Sequence, residues 1–235
     1  LTAGETPAGE GGTQDDFESS LRMDGVGSHI AVTLPGGNKF LSFDQSWSLG
    51  LDLTLEDFTS GSKRVIARRG DCGIFWVQSQ GNMGFYFTVV GGAYPHASGI
   101  THSRGVNTWF TPPADAKHLF TFDAQTRKLR WYVDHTLRAT ITLTLSEQQQ
   151  GTLNADEVLY IGDAMVTQYA GNAHLKATID DLYLFDDALV HGSDEITNFF
   201  EAEVSNLHHL LSHFRLDREG NYPSLTDEQG VSTAT

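Results

Sequence analysis

The 235 residues carry 30 Asp and Glu against 15 Lys and Arg, a formal net charge of −15 at pH 7, and such a field repels phosphate backbones and anionic lipid head groups. Apolar residues make up 39% and aromatics 11%, with 19% charged, which excludes wholesale disorder and predicts a Phe-rich core under a surface of Ser, Thr, Asn, Gln and Gly. No wholly apolar run exceeds five residues, far short of the about 20 that span a bilayer, so neither nucleic-acid binding nor membrane insertion is expected.

With Cys72 alone, no disulfide within the chain and no thiolate zinc cluster can form. The first residue, Leu1, leads us to expect a processed product or a slice of something longer. Residues 1–16 (LTAGETPAGEGGTQDD) are rich in Gly, Thr and acid with no large apolar group after Leu1, and read as a flexible lead-in.

From Leu21 to Leu189, short alternating runs are separated by Gly, Asn, Asp or Pro: His29–Leu34, Lys39–Phe43, Ser48–Leu53, Lys63–Arg68, Gly73–Gln78, Gly84–Val90, Lys117–Asp123, Lys128–Asp134, Leu137–Leu143, Glu157–Ile161 and His174–Phe185. This repeated period of two predicts an all-β chain of two packed antiparallel sheets. Leu129, Trp131 and Val133 share one face of a strand, Thr140–Thr144 alternates as strictly, and a hairpin turn is expected at Asp134-His135. Further on, Ile196, Phe199, Phe200, Val204, Leu207 and Leu211 recur at three- and four-residue spacing behind Ser193, Asp194 and Glu195, which predicts one amphipathic C-terminal helix over Ser193–His213.

Three stretches carry a family resemblance. Leu21–Val32 holds an apolar strand, an Asp24-Gly25 turn and an alternating strand. His118–Asp123 and Leu129–Asp134 form a central hairpin ending in Tyr132-Val133-Asp134, with His135 where a glycine would follow. Leu159–Gly162 and Lys176–Leu189 contain an Ile-Asp-Asp element and an Ala-Leu exit. On these residues the chain resembles the concanavalin A-like jelly-roll superfamily, in its laminin-G-like branch. The resemblance implies a two-sheet jelly-roll sandwich over residues 17–217, with 218–235 a tail or the start of a following repeat. The departure at His135 asks a non-glycine residue to take the left-handed region, which His tolerates better than most. Leu210–Asp217 is similar to the family's usual first strand, displaced to the end, and is expected to fill the edge beside residues 17–34 rather than to begin a second repeat.

The resemblance further implies a structural calcium ion joining Asp24 to Asp180; the alternative is that these carboxylates shape turns and bind backbone amides. No strand carries the alternating carboxylates of the superfamily's glycosidases, since Glu201 and Glu203 fall on the predicted helix and adjacent Asp180 and Asp181 would point to opposite faces. His208, His209 and His213 include an i, i+4 pair, but a third ligand is not evident, and they read as surface or helix-end residues. The best candidate surface is the 23-residue stretch Gly91–Pro113, too long for an inert connection, with Tyr94, His96, His102, Asn107 and Trp109 as ligand-binding residues and Trp76 and Tyr86 as a floor beneath. The alternative for Trp109 and Phe110 is that they cap the core.

These readings favour a non-catalytic recognition module of a larger surface or secreted protein, binding a glycan or another protein, alone, as a homo-oligomer or beside neighbouring repeat domains. The alternatives are a structural or adhesion component of a viral or phage surface, and a polysaccharide-degrading enzyme of the same superfamily. The expected location is extracellular, on a cell surface or on a virion.

Overall fold

The structure, a computed structural model, describes residues 21–24, 30–33, 42–56, 61–67, 73–79, 82–88, 103–105, 115–153, 158–161, 176–201, 206–215, 225–226 and 233–234. In chain order these form β1 (Leu21–Asp24), β2 (Ile30–Thr33), β3 (Trp47–Leu55), β4 (Gly61–Ala67), β5 (Gly73–Ser79), β6 (Asn82–Thr88), β7 (Ser103–Gly105), β8 (Asp115–Asp123), β9 (Lys128–Val133) and β10 (Thr136–Thr142). Then follow α1 (Leu145–Leu153), β11 (Val158–Ile161), β12 (Lys176–Phe185), α2 (Asp194–Phe200), β13 (Leu210–Arg215), β14 (Leu225–Thr226) and β15 (Thr233–Ala234).

The chain is mostly β. One sheet runs β1-β12-β3-β8-β9-β10 with β13 also on β12, and the other runs β14-β15-β2-β11-β4-β5-β6-β7; the pairings are antiparallel. Leu49, Leu51, Leu53 and Leu55 of β3, Phe120 and Phe122 of β8, and Leu129, Trp131 and Val133 of β9 join Val32 of β2 and Leu159 and Ile161 of β11 in a single buried cluster, so the main core draws on both sheets. Strict alternation puts these residues on one face of each strand, as the period of two requires. His118 shares that face of β8 and is fully enclosed; its Nδ1 accepts the Trp131 indole N–H at 3.3 Å, and burial pulls its imidazole down to about 3, so it is neutral at pH 7.

A second apolar cluster lies on the other face of the first sheet, where Leu119, Tyr132, Tyr183 and Phe185 meet Leu189, Ile196, Phe199 and Leu207. Here α2 sits directly on the sheet because Gly50 has no side chain: a Cβ at that position would run into Cε2 and Cζ of Phe199. The Phe199 ring packs edge-on against Tyr183 with centroids 5.2 Å apart.

The expected hairpin turns where the alternation placed it. Asp134 and His135 both have positive φ, 43° and 66°, and Val133 pairs with Thr136, the two-residue pattern of a type I′ turn. The exposed His135 ring rests 4.8 Å from Phe200.

Three expectations are corrected. The helix predicted over Ser193–His213 ends at Phe200; Leu207 joins the same cluster from irregular backbone and Leu211 packs against the main core from β13, so the apolar spacing reported burial without a helix. That shortening removes the i, i+4 histidine geometry: His209 lies in a turn with φ 59° and His213 lies on β13. Ser42 and Phe43, at the end of the predicted strand Lys39–Phe43, are outside any strand, and residues 39–41 lie outside the described set. Within residues 218–235, β14 and β15 pair with each other, and β15 pairs with β2.

A further helix, α1, was not foreseen. It opens with a reciprocal cap in which the Thr144 backbone N–H donates to Glu147 Oε2 at 2.7 Å and the Glu147 N–H donates to Thr144 Oγ1 at 3.2 Å. The Gln148 amide then donates to the Phe43 and Ala124 carbonyls, tying two loop ends together.

The displaced strand β13 pairs with β12 rather than with residues 17–34. β1 covers Lys176–Ile179 on one edge of β12, and β13 covers Asp181–Phe185 on the same edge, so the two lie end to end. β1 has only four residues, and the edge left open belonged to β12.

The close approach at Gly50 gives a test. Gly50→Ala is expected to lower unfolding free energy by about 1–3 kcal/mol in urea denaturation, and to cost much less in a Phe199→Ala background, where the ring is gone. Equal costs in both backgrounds would show that α2 does not rest on Gly50.

Candidate functional site

The register of the second sheet fixes which residues lie opposite one another. Ile161 lies in the main core, Ile66 is its partner on β4, and Ile74 is the partner of Ile66 on β5. Phe75, one residue on, has Arg64 on β4 and Tyr86 on β6 as its partners, and Tyr86 in turn pairs with Gly105 on β7. A register shift between Arg64 and Ile66 brings Arg64 into this row. Of the expected floor residues, Trp76 pairs with Phe85 and Tyr86 with Phe75 across β5 and β6.

The stretch Gly91–Pro113 is not a single connection. Ser103–Gly105 returns to pair with β6, Thr88 opposite Ser103, so the chain leaves and rejoins the sheet at adjacent positions. His102 immediately precedes that return, and Tyr94 and His96 lie between the two anchor points in sequence, while Asn107 and Trp109 follow β7. Those five residues lie outside the described set.

Of the pair implied for calcium, Asp24 sits opposite Lys176, four residues along β12 from Asp180, a rise of about 13 Å at strand spacing. Among the described residues no group of three or more His, Cys, Asp or Glu side chains is placed to hold a metal ion.

Sequence reasoning missed a polar group on the outward face of the first sheet. Opposite Asp52 the β12 ladder skips from Ile179 to Leu182, so Asp180 and Asp181 together face one residue of β3. The two carboxylates therefore do not divide cleanly between opposite faces as an unbroken strand would have it, and both residues are half-buried. Burial pushes the Asp52 carboxyl up to about 6; Lys117, its partner on β8, draws it down, while Asp180, Asp115 and Asp181 push it up. Lys117 Nζ donates to the Phe199 carbonyl at 3.2 Å and lies 5.4 Å and 5.2 Å from the Tyr183 and Phe199 ring centroids. Asp181 Oδ1 meets His213 Nε2 at 2.9 Å, and the His213 ring stacks on Tyr183 with centroids 4.3 Å apart. The available signal was Asp52 itself, a charged residue between apolar Leu51 and Leu53.

No protein-family model and no curated protein sequence matches the chain. Solved structures do share its fold. A candidate carbohydrate-binding protein from Bacteroides ovatus superposes with a TM-score of 0.59 at 14% identity, covering 92% of this chain and 58% of that one. A Trypanosoma rangeli sialidase matches at 0.52 with 16% identity over 79% of this chain and 28% of its own. The binding domain of botulinum neurotoxin serotype D/C matches at 0.51 with 12% identity over 78% of this chain and 43% of its own. The chain thus spans little more than half of the first of these and less of the others.

Asp52 yields a stability prediction with a definite sign. A carboxyl whose folded value is raised binds its proton more tightly when folded, so its penalty is absent below about pH 4 and complete above about pH 6. Asp52→Asn is expected to raise the melting temperature at pH 7 by about 3 °C, roughly 1 kcal/mol after allowance for solvent reaching a half-buried group. The gain should vanish at pH 4 in a calorimetric series; a gain independent of pH would assign it to packing.

Proposed function

We propose that the chain is a non-catalytic recognition module, a jelly-roll sandwich of an extracellular or surface protein that binds carbohydrate at the β4–β7 end of its second sheet. The observation that carries this reading is the cross-strand row ending at Tyr86 and Gly105, beside the point where residues 89–102 leave and rejoin the sheet. Aromatic rings offer flat apolar faces to the C–H face of a sugar, and a segment anchored at both ends to a sheet can supply polar groups around it. Support from the fold comes from the Bacteroides ovatus protein and the neurotoxin binding domain, whose likeness to this chain is one of architecture. Among the described residues no helix is long and apolar enough to cross a membrane.

A second reading has one observation in its favour. Asp52, with a carboxyl value near 6 and the Asp180–Asp181 pair opposite, has the protonation behaviour of a general acid, which favours a polysaccharide-cleaving enzyme.

One experiment separates the two. The full chain is applied to a panel of neutral and acidic oligosaccharides, with binding and release of reducing ends measured together. Recognition predicts retention of at least one glycan without cleavage. Replacing residues 91–101 by a short Gly-Ser linker is expected to weaken it about tenfold or more while the melting temperature holds. Cleavage abolished by Asp52→Asn would establish the enzyme reading instead.

A further inference from the structure

Between β12 and β13 the chain leaves the first sheet and returns to it at the point of departure. The Asp186 N–H donates to the His209 carbonyl at 3.0 Å, and Asp186 Oδ1 lies 3.4 Å from His209 Nδ1, so residues 187–208 form an excursion closed at its base. The first part of this excursion is pinned to the sheet. Ser48 Oγ donates to the Asp187 carbonyl at 3.0 Å and accepts the Leu189 N–H at 2.9 Å, and His191 Nδ1 lies 3.0 Å from the Tyr132 hydroxyl. Gly192 then takes φ 81° in open space, and α2 begins two residues later. The far end of α2 meets the sheet through the Phe199 ring over Gly50 and through Lys117 Nζ, which donates to the Phe199 carbonyl at 3.2 Å. None of these contacts is part of the β12–β13 ladder, which runs from Asp181–Arg215 to Phe185–Leu210.

Asp52 is the next outward residue of β3 after Gly50, and it stands opposite Lys117. The charged groups around it are Lys117 and Asp115 from β8 and Asp180 and Asp181 from β12, with His213 of β13 on Asp181. α2 faces this group with the carbonyl and ring of Phe199; its own acids are Asp194 and Glu195 in the first turn and the exposed Glu201 at its end. An ionised Asp52 acts on α2 in two ways. It gains hydration when the helix above the Asp52–Lys117 pair lifts, and it competes with the Phe199 carbonyl for the one ammonium.

We propose that α2 is a lid on the outward face of the first sheet, hinged at Gly192 and latched by Lys117, and that ionisation of Asp52 loosens the latch, so the lid is closed in acid and opens more often at neutral pH. Opening uncovers Tyr183, Phe185 and Leu119 while the ladders beneath stay paired. This device is independent of what the second sheet binds. Its sign follows from linkage: a carboxyl near 6 under the closed lid and at its ordinary 3.8 under the open one holds its proton more tightly when closed, so the opening constant climbs between those values and levels off above about pH 7.

Amide hydrogen exchange of the full chain, followed from pH 5 to pH 7.5 and corrected for the intrinsic pH dependence of exchange, compares Phe199, Phe200 and Glu201 with the amides of β9. The opening constant of α2 is expected to exceed that of β9 throughout and to rise about fivefold from pH 5 to pH 7. In Asp52→Asn the rise should disappear, and Lys117→Met should raise opening already at pH 5. If Asp52→Asn does not fold, the profile of the unaltered chain and that of Lys117→Met decide the matter. Exchange of α2 only at the β9 rate, opening that does not change with pH, a rise that survives Asp52→Asn, or an unchanged opening constant in Lys117→Met at pH 5 each overturns the inference.

Discussion

A buried strand must find hydrogen-bond partners along both of its edges, and β12 is the strand for which this is hardest to satisfy. Its ten residues have β3 along one side, but β1 reaches only Lys176–Ile179 on the other. The backbone of Asp181–Phe185 would be left open on an edge facing apolar Leu182 and Leu184, had β13 not returned to cover it. The seam between β1 and β13 falls at Asp180–Asp181, where the ladder with β3 also gains its extra residue. A bulge at a seam is physically reasonable, because there the strand can change direction without losing continuous pairing on both sides. The return of β13 then requires the chain to cross the outward face of the first sheet, which is where Leu189, α2 and Leu207 are found.

That crossing sets the electrostatics of the same face. Lys117 stands between an acidic side, made by Asp52, Asp115 and the bulge, and an apolar side, made by Tyr183 and Phe199. Its ammonium is shared between a carbonyl at the end of α2, two aromatic rings and the carboxylate of Asp52, so it offsets only part of the repulsion among four acids. Burial of Asp52 under this arrangement is what lifts its carboxyl, and His213 satisfies Asp181 from the strand that closes the seam. The charge pattern follows from the strand that had to be covered.

Much of this architecture was legible as alternation. β3, β8 and β9 were recognisable because Leu49 through Leu55, Phe120 and Phe122, and Leu129 through Val133 repeat every second residue, and His135 was expected in the left-handed region because the resemblance puts a glycine there. The failures share a cause. Apolar spacing reports burial, and Phe199, Leu207 and Leu211 are drawn inward by three different backbones, a helix, an irregular segment and a strand, the last of them against the other cluster. α1, with Gln at three successive positions, has almost no apolar face, so only its Thr144 and Glu147 cap could have signalled it. The row through Arg64 was illegible for another reason: Ile74-Phe75-Trp76-Val77 is apolar at every position, so alternation cannot say which residue faces outward until the partner strand and its register shift are known. The loop residues Tyr94 to Trp109 were chosen by length and composition, which locate a surface without fixing its geometry.

The outward face of the first sheet is occupied by the chain itself. On the first sheet, the outward positions of β3, β8, β9 and β12 are taken by a glycine under a phenylalanine ring, by buried tyrosines and by a lysine already shared among several partners. A ligand arriving there would have to displace α2 and expose Ile196 and Phe199, a loss of about 1.5–3 kcal/mol for each large apolar side chain returned to water. On the second sheet, β4, β5, β6 and β7 carry no Asp or Glu.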